Sequence, residues 1–406
     1  MSERQRANHK PSKGPLAGLR VLDLSRLVAG NQLTMLLGDF GADVVKVEQP
    51  GKGDPLRHWT VGGRELHWKV YGRNKRSVAL DLKQQKAKQL LLRLVEGSDV
   101  LVESFRPGTL ERLGFDPETL HRHNPELVIV RISGWGQTGS FAQKPGFGTL
   151  IEAMSGFAAM NGFADREPVL PPGALADMVA GAYGAFAVLA AQRQAASTGT
   201  GQVIDLSLFE PLFSILGPMA ASYRLTGEVP SRTGSRSHTT APRNVYQCSD
   251  GEWLALSGSM QTMTERLFKT IGRAELIDDP RFCDNTARLR HVEELDAILA
   301  DHFARHTLEE NLAEMELAGV TVAPVSDISK LIDSEYFASR QIVVDGPDAD
   351  GPEPVPMHDV VPRMTETPGR IRAAAPRLGE HTRAILSSVV SAEEWEALLE
   401  EGAVEA

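Results

Sequence analysis

The chain has 406 residues, enough for two or three domains at about 150 residues each. Hydrophobic residues make up 42% and charged residues 24% of the chain, the composition of an ordinary globular protein. The net charge is −10, from 43 Lys plus Arg against 53 Asp plus Glu, so the chain repels polyanions and no nucleic-acid partner is expected. An anionic ligand would need a local basic pocket against this background.

Three features bear on where the protein resides. Residues 1–14 are polar and basic and precede no apolar stretch, so they are interpreted as a flexible arm and not as a secretory signal. The small apolar stretch over residues 178–191 is too short for a bilayer span. Cys248 and Cys283 stand in no C-x-x-C or metal-ligand spacing, which favours a reducing compartment. We therefore expect a cytoplasmic protein without a membrane partner.

From residue 20 onward, short β-branched runs alternate with helical patterns, which is typical of a parallel α/β sheet. The strands are predicted at residues 20–23, 43–48, 77–81, 99–103, 127–133 and 202–206. The helices between them are predicted at residues 32–40, 84–96, 109–113 and 117–123. Asp116 is the expected cap of the last helix. This alternation predicts a doubly wound sheet.

The domain organisation follows from a change in composition. A long helix over residues 177–197 ends at a Gly-Thr-Gly turn and leads into the last strand, so the large domain is predicted over residues 15–216. A linker rich in Ser, Thr, Pro and Arg follows over residues 217–243. A hairpin pattern then opens a smaller α+β domain over residues 244–330. Residues 331–406 are expected to return to the large domain and to end in a helix that packs on it.

Residues 134–139 read G-W-G-Q-T-G directly after a predicted strand, which matches the G-x-G-x-x-G pattern of dinucleotide sites. Such a site needs a helix that begins within the turn, so that its N–H groups meet the pyrophosphate. The following residues 140–148 are not typical of a helix. The pattern therefore favours an ordinary glycine loop at the carboxyl edge of the sheet, where ligands usually bind.

Other chemistry-bearing patterns are sparse. His302 and His306 are four residues apart, the spacing of two metal ligands, but no H-E-x-x-H signature surrounds them and no metal is expected. A G-x-S-x-G elbow and a P-loop are absent from the sequence. Asp177 lies where the long apolar helix is predicted to begin. It is interpreted either as an N-cap or as an anionic nucleophile held at a helix N-terminus.

Basic residues occur on two segments that flank predicted strands. Residues 74–76 precede one strand, and residues 104–106 with Arg112 follow another. If these segments meet at one edge of the sheet, their charges could hold anionic groups. The alternative is that each is a solvated surface charge.

Seven segments together resemble the class III coenzyme A transferase (CaiB/BaiF) family, which includes formyl-CoA transferase, carnitine CoA-transferase, succinyl-CoA-dependent dicarboxylate CoA-transferases and alpha-methylacyl-CoA racemase. The segments are residues 15–24, 37–48, 74–77, 102–108, 133–139, 176–178 and 375–382. The resemblance implies a Rossmann-like large domain, a smaller second domain and an interlocked homodimer. It also implies that Asp177 forms a mixed anhydride and then an aspartyl-CoA thioester. No permanently bound cofactor is implied, because the CoA thioester is a substrate.

Matching positions imply a set of CoA contacts. They are Val28, Ala29, Gln49, Arg73, Asn74, Lys75, Arg76, Ser104, Phe105, Arg106, Arg112, Gly146, Phe147 and Gly148. Gln49 stands where formyl-CoA transferase has an arginine, and Ser104 replaces an asparagine. Phe147 stands where the racemases have a histidine base, and a phenylalanine cannot move a proton from an α-carbon.

The glycine-rich lid of formyl-CoA transferase corresponds here to residues 257–261, which include Gly258, so formate and oxalate are not the favoured acceptors. Arg243 and Asn244 are the candidates to bind the far carboxylate of a succinyl group, although a linker that simply ends in polar residues is an equal alternative. We predict a CoA-transferase that uses succinyl-CoA and a free carboxylic acid. The alternatives are a racemase of the same fold and a catalytically silent CoA-binding protein.

Overall fold

The computed structural model describes residues 14–387 and 389–405 of the chain, so the predicted arm lies outside the described residues except for Gly14. The strands in chain order are β1 (Arg20–Asp23), β2 (Asp43–Glu48), β3 (Lys75–Leu80), β4 (Val100–Glu103), β5 (Val128–Ser133), β6 (Val203–Ser207), β7 (Arg243–Gln247), β8 (Trp253–Ser257), β9 (Val322–Pro324), β10 (Val343–Gly346), β11 (Val355–His358) and β12 (Val404–Glu405). All six strands predicted for the large domain are present, with ends that differ by at most two residues.

The helices complete the alternation with the strands. They are α1 (Leu27–Asp39), α2 (Leu66–Tyr71), α3 (Gln85–Val95), α4 (Thr109–Arg112), α5 (Pro117–His123), α6 (Gly148–Met154), α7 (Phe157–Met160), α8 (Leu175–Thr198), α9 (Phe209–Ser214), α10 (Met219–Thr226), α11 (Gln261–Thr270), α12 (Asn285–Arg290), α13 (Val292–Phe303), α14 (Leu308–Leu317), α15 (Ile328–Leu331), α16 (Glu335–Arg340), α17 (Thr382–Leu386) and α18 (Ala392–Glu400). Asp116 caps α5 as predicted, because its carboxylate accepts the Thr119 N–H at 2.9 Å.

Among the described residues, the main sheet has seven strands in the order β12-β3-β2-β1-β4-β5-β6. The strands β1 to β6 pair in parallel, and only the short β12 runs antiparallel, beside β3. The order 3-2-1-4-5-6 is that of a Rossmann-like sheet, whose strand order reverses between β1 and β4. The predicted fold class is therefore confirmed.

The sheet is covered on both faces, which is why its strands are apolar at nearly every position. On β1, Val21 belongs to the apolar cluster of one face and Leu22 to that of the other. Helices α1 and α8 cover the first face, and α3, α5 and α18 cover the second. Side chains therefore alternate between two cores along each strand, as the period of two requires.

Helices α1 and α8 pack closely because α8 carries glycines where they meet. A Cβ at Gly181 would come within 2.7 Å of Gln32 Cγ, and one at Gly184 within 2.4 Å of Leu33 Cδ1. These two positions leave no room for a larger residue. The close approach brings the first turn of α8 against the first turn of α1.

The chain divides into two compact units. The first comprises the described parts of Met1–Ser155, Pro171–Gly217 and Gln341–Ala406, and the second comprises Gly156–Leu170 and Pro218–Arg340. The segment Gly156–Leu170, which falls within the range predicted for the large domain, groups with the second unit. It does so because the Arg232 side chain donates hydrogen bonds to the carbonyls of Phe163 and Arg166.

The second unit is built on an antiparallel sheet in the order β7-β8-β9. Its core is formed by apolar side chains of this sheet and of α11, α13 and α14, among them Leu254, Phe268 and Phe303. The predicted hairpin is present as β7 and β8, joined at residues 248–252. Cys248 is buried in this core, Cys283 is exposed, and both are free thiols.

Helix α8 has 24 residues, so the apolar segment is longer than the predicted stretch over residues 178–191. Within the described part of the chain, α8 is long and apolar enough to cross a membrane by length and composition alone. The length argument against a span is therefore wrong. Its outer face carries Tyr183, Phe186 and Leu189, and Phe186 is 73% exposed.

Candidate active site

Asp177 lies in the first turn of α8, which begins two residues earlier at Leu175. The interpretation of Asp177 as the N-cap is therefore wrong, since the cap position is Ala174, which offers no side-chain cap. The partly buried carboxylate of Asp177 is contacted by two other helices. The Ala29 backbone N–H, in the first turn of α1, hydrogen-bonds it, and Gly148, the first residue of α6, lies against its Oδ2.

The environment of Asp177 holds its proton more tightly than water would. Burial is the largest cause and, together with the negative charge of Glu152, raises the pKa of Asp177 to about 6, although the Ala29 N–H acts in the opposite direction. At neutral pH the group is still mainly ionised. It is a poorly solvated carboxylate of raised basicity, which is the condition for nucleophilic catalysis.

The turn that presents the Ala29 N–H is strained, and hydrogen bonds to the buried Asp54 carboxylate hold it in place. Leu27, the first residue of α1, has a φ of +64°, a left-handed conformation that costs a non-glycine residue about 1 kcal/mol. The buried Asp54 carboxylate accepts the Leu27 N–H at 3.0 Å and the Asn31 side-chain N–H at 2.8 Å. Lys46 lies 2.9 Å from the same carboxylate. Asp54 was not predicted, and the signal for it is the Gly-Asp-Pro sequence, in which an aspartate precedes a proline.

A cavity of about 410 Å³ opens at the carboxyl edge of β1 to β4, and Asp54 is among its lining residues. Its lining comes from the residues that follow these four strands and includes Leu24, Arg26, Gln49, Lys52, Asp54, Leu82, Lys83 and Phe105. Arg26, Lys52 and Lys83 are exposed, and none of them forms an ion pair within residues 14–387 and 389–405. The cavity thus offers apolar walls and three available cations, which suits an anionic ligand with a planar apolar part.

Comparison with known proteins identifies the chain. The family model described as CoA-transferase family III matches residues 16–382. The chain belongs to this family. The succinyl-CoA–D-citramalate CoA-transferase of Chloroflexus aurantiacus is 38% identical over 379 residues, which cover 93% of this chain and 94% of that protein. The succinate–glutarate CoA-transferase of Agrobacterium fabrum is 32% identical, with 95% and 98% covered.

The fold agrees with this assignment. The crystal structure of a CAIB/BAIF family protein from Brucella suis superposes with a TM-score of 0.82 at 32% identity. The superposition covers 93% of this chain and 100% of that one. The protein is therefore an enzyme, a class III CoA-transferase.

The CoA contacts that the sequence predicts at residues 73–76 do not line the cavity. Arg73 and Asn74 directly precede β3, and Lys75 and Arg76 are its first two residues, so the backbone of all four lies at the amino end of this parallel strand, opposite the residues that follow β4. The expectation that the two basic segments meet at one edge is wrong. Each side chain is also engaged, since Arg73 and Asn74 bond to Asp39 and Arg76 bonds to Asp43.

Lys75 is fully buried and belongs to a chain of charges beneath α1. It lies 3.2 Å from Asp23, which is also 3.3 Å from Lys46. Burial, the largest cause, lowers the pKa of Lys75 to about 8. Burial alone would raise the pKa of Asp23, but Lys46 and Lys75 lower it to about 2. This network supports the Leu27 turn through Lys46 and Asp54.

Two of the predicted CoA contacts after β4 lie at or near the cavity. Phe105 lines it, and the Ser104 hydroxyl accepts the N–H of Arg26, another lining residue, at 2.9 Å. Arg106 and Arg112 are exposed, and Arg112 donates to the Thr109 hydroxyl at 2.7 Å. Gln49 lines the cavity on its other side. The structure thus brings Gln49, Ser104 and Phe105 together with the three cations, which sequence reasoning missed.

The glycine loop and the segment before α6 pack backbone to backbone. A Cβ at Gly134 would meet the Gly146 Cα at 2.6 Å, and the Trp135 indole donates to the Pro145 carbonyl at 3.0 Å. No helix begins in residues 134–139, so these glycines shape a loop, as predicted. Phe147 is 61% exposed and carries no base. The racemase interpretation therefore has no support at this position.

In the second unit, Arg243 is exposed, and its guanidinium donates to the Arg236 carbonyl at 3.3 Å. The Asn244 side chain donates to Asp296 Oδ2 at 2.9 Å, in a network with Tyr246. The Asn244 amide is thus used within its own unit. Gly258 packs on Pro242, where a Cβ would come within 3.0 Å of Cγ.

The two histidines with metal-ligand spacing are His302, on α13, and His306, just after its C-terminal end. The His302 Nε2 lies 3.2 Å from Glu314 Oε2, and the His302 and His306 rings are 5.5 Å apart. Within the described ranges, no three or more His, Cys, Asp or Glu side chains are grouped to hold a metal ion.

Proposed function

We propose that this enzyme transfers CoA from succinyl-CoA to a second dicarboxylic acid through covalent intermediates on Asp177. The observation that carries the proposal is the half-buried carboxylate in the first turn of α8, which faces the Ala29 N–H and the bare backbone of Gly148. The names of the relatives support the donor and the acceptor class, because both are transferases between succinyl or succinate and a dicarboxylic acid.

The reaction begins when an Asp177 oxygen attacks the thioester carbonyl carbon of succinyl-CoA. The C–S bond breaks, CoA leaves as the thiolate, and a mixed anhydride forms. The thiolate then attacks the aspartyl carbonyl, which releases succinate and leaves an aspartyl-CoA thioester. The acceptor carboxylate and the released thiolate repeat these two steps in reverse order, so that a new acyl-CoA leaves and the Asp177 carboxylate is restored.

Two fixed features stabilise the oxyanions of these steps. The Ala29 N–H is directed at the Asp177 carboxyl group by the strained Leu27 turn, and the positive end of the α8 dipole lies beneath it. The turn is held by Asp54, so no reorganisation is needed during the reaction. Donors fixed in this way contribute most where water is excluded.

The cavity at the carboxyl edge is proposed to bind the nucleotide part of CoA. Apolar walls from Leu24, Leu82 and Phe105 suit the adenine ring, and Arg26, Lys52 and Lys83 suit the phosphates. Asp54 lines this cavity and also accepts the Leu27 N–H, so the pantetheine chain would run past Asp54 toward Asp177.

The enzyme is further proposed to act as a homodimer. An apolar stripe is exposed on α8, where a large apolar side chain recurs every three residues, at Tyr183, Phe186 and Leu189. Exposure of such a stripe to water is unfavourable. A second copy of the chain would cover this stripe, as the family resemblance implies.

The test is a transfer assay with succinyl-CoA and separate acceptors, namely malate, citramalate, glutarate and oxalate. Chromatography of the CoA thioesters should show a new dicarboxyl-CoA and free succinate in equal amounts. Asp177→Asn should lose at least about a thousandfold in turnover while it keeps the fold. Hydrolysis of succinyl-CoA without transfer, or full transfer by Asp177→Asn, would contradict the proposal.

A further inference from the structure

Glu152 is a buried carboxylate beside the reactive one. Its side chain is on α6 and is only 3% exposed, and its Oε1 accepts the Ala176 backbone N–H at 3.1 Å. In the part of the chain that the structure describes, no lysine, arginine or histidine forms an ion pair with it. Burial of an unpaired carboxylate is costly, so a residue of this kind calls for an explanation.

The position of Glu152 relative to Asp177 is fixed from two sides. Helix α6 begins at Gly148, which lies against Asp177 Oδ2, and Glu152 follows one turn later on the same helix. The N–H that Glu152 accepts belongs to Ala176, the residue directly before Asp177. The groups that act on the Asp177 carboxyl include the Ala29 amide from α1, Glu152 from α6 and its own amide on α8, and Gly148 lies against it. Of these groups, Glu152 carries a charge.

We propose that Glu152 is a positioning residue whose negative charge favours the covalent intermediates of Asp177. The inference rests on the proposed function. Formation of the anhydride or of the thioester converts the Asp177 carboxylate into an uncharged group. Glu152 repels the free carboxylate and does not repel the acylated one, so its charge raises the free energy of the resting enzyme relative to both intermediates.

Glu152 also has a structural role, which suitable variants separate from the effect of its charge. The N-cap residue Ala174 has no side-chain cap, and the Glu152 carboxylate supplies an acceptor to the first turn of α8 instead. Glu152→Gln keeps an amide oxygen at this place and removes the charge. Glu152→Asp keeps the charge on a shorter side chain. Asp116→Asn, a capping carboxylate of α5 exchanged for a capping amide, is the matched control.

The experiment compares the pH dependence of kcat/KM for succinyl-CoA in these four proteins. In the wild type kcat/KM should fall on the acid side with a midpoint near pH 6, because Asp177 must be ionised to attack. This fall is the acid limb. Removal of a facing negative charge lowers the pKa of Asp177, so the limb of Glu152→Gln should move down by about one pH unit. Glu152→Asp and Asp116→Asn should keep the wild-type limb.

A second measurement follows the intermediates themselves. Intact-mass spectrometry after an acid quench gives the fraction of protein that carries an adduct from succinyl-CoA. In Glu152→Gln the ratio of adduct to free enzyme should be about tenfold lower than in the wild type, because one pKa unit corresponds to a factor of ten. If the wild type forms an adduct and Glu152→Gln matches it in both adduct and acid limb, the inference is overturned. If the wild type forms no adduct, the proposed function itself fails.

Discussion

Gly148 touches the carboxylate of Asp177 so closely that a Cβ at position 148 would lie 2.4 Å from Oδ2. No real Cβ makes such a contact, so either the first turn of α6 or the carboxylate would have to move. In the proposed mechanism the substrate carbonyl must reach the same oxygen atoms, and the bare backbone of a glycine crowds them least. The proposed mechanism thus requires a glycine at the start of α6.

Gly148→Ala should therefore impair catalysis more than folding. A displacement of about 1 Å at a reacting group costs on the order of a hundredfold in rate, and we expect a loss of that size in kcat/KM for succinyl-CoA. Gly173→Ala, two residues before α8, is the control, because its Cβ would meet nothing within 4 Å. An active Gly148→Ala enzyme with an unchanged melting temperature would show that the contact is not needed.

Asp177 should reduce the stability of the folded protein at neutral pH. Its folded pKa of about 6 is above the ordinary aspartate value of 3.8, so the unfolded chain releases this proton first and stability falls as pH rises from about 4 to 6. Asp177→Asn removes this effect and should stabilise the protein by up to about 3 kcal/mol at pH 8, and by much less at pH 4. Urea unfolding at both pH values measures the difference. Equal stabilisation at the two pH values would mean that the charge is not the cause.

The cavity cations should determine affinity for CoA and not the chemical step. We expect Lys52→Ala and Lys83→Ala each to raise the KM for succinyl-CoA several-fold, with kcat nearly unchanged and the effect weaker at high salt. Lys269→Ala, an exposed lysine of the second unit, should have no effect. A KM that is insensitive to both cavity variants would place the nucleotide elsewhere.

The apolar stripe on α8 should be an interface between two copies of the chain. Phe186→Glu places a charge at a side chain that is 73% exposed in the single chain. If a second copy covers it, the variant should sediment as a monomer in analytical ultracentrifugation, while the wild type sediments as a dimer. Glu396→Gln, a change of an exposed residue on α18, should leave the mass unchanged. A wild type that is monomeric at all concentrations would refute the interface.

The sequence predicted the sheet well and the charges poorly, for one physical reason. Buried parallel strands are continuous apolar runs, so β1 and β2 could be located to the residue, and Asp177 stood out at the start of an apolar helix. The partners of charged side chains depend on tertiary contacts. Arg73 and Arg76 resemble ligand contacts in the sequence but bind Asp39 and Asp43, which are more than 30 residues away.

Glu152 and Asp54 were not predicted from the sequence for the same reason, because their contacts depend on the tertiary fold. Glu152 is one acid in a short apolar helix, and only the fold places it beside the residue before Asp177. Asp54 follows β2 by six residues, and only the fold places it under the Leu27 turn. Helix α1 begins five residues before its predicted start, at Leu27, whose left-handed conformation no local pattern favours.

The most direct test of the account is to trap the activated carboxylate. The enzyme is incubated with succinyl-CoA, hydroxylamine is added, and the digested protein is searched by mass spectrometry for a hydroxamate. The proposed covalent mechanism predicts a hydroxamate on Asp177 that requires succinyl-CoA and is absent from Asp177→Asn. An enzyme that transfers CoA between acids while Asp177 stays unmodified, or a hydroxamate on another carboxylate, would contradict it.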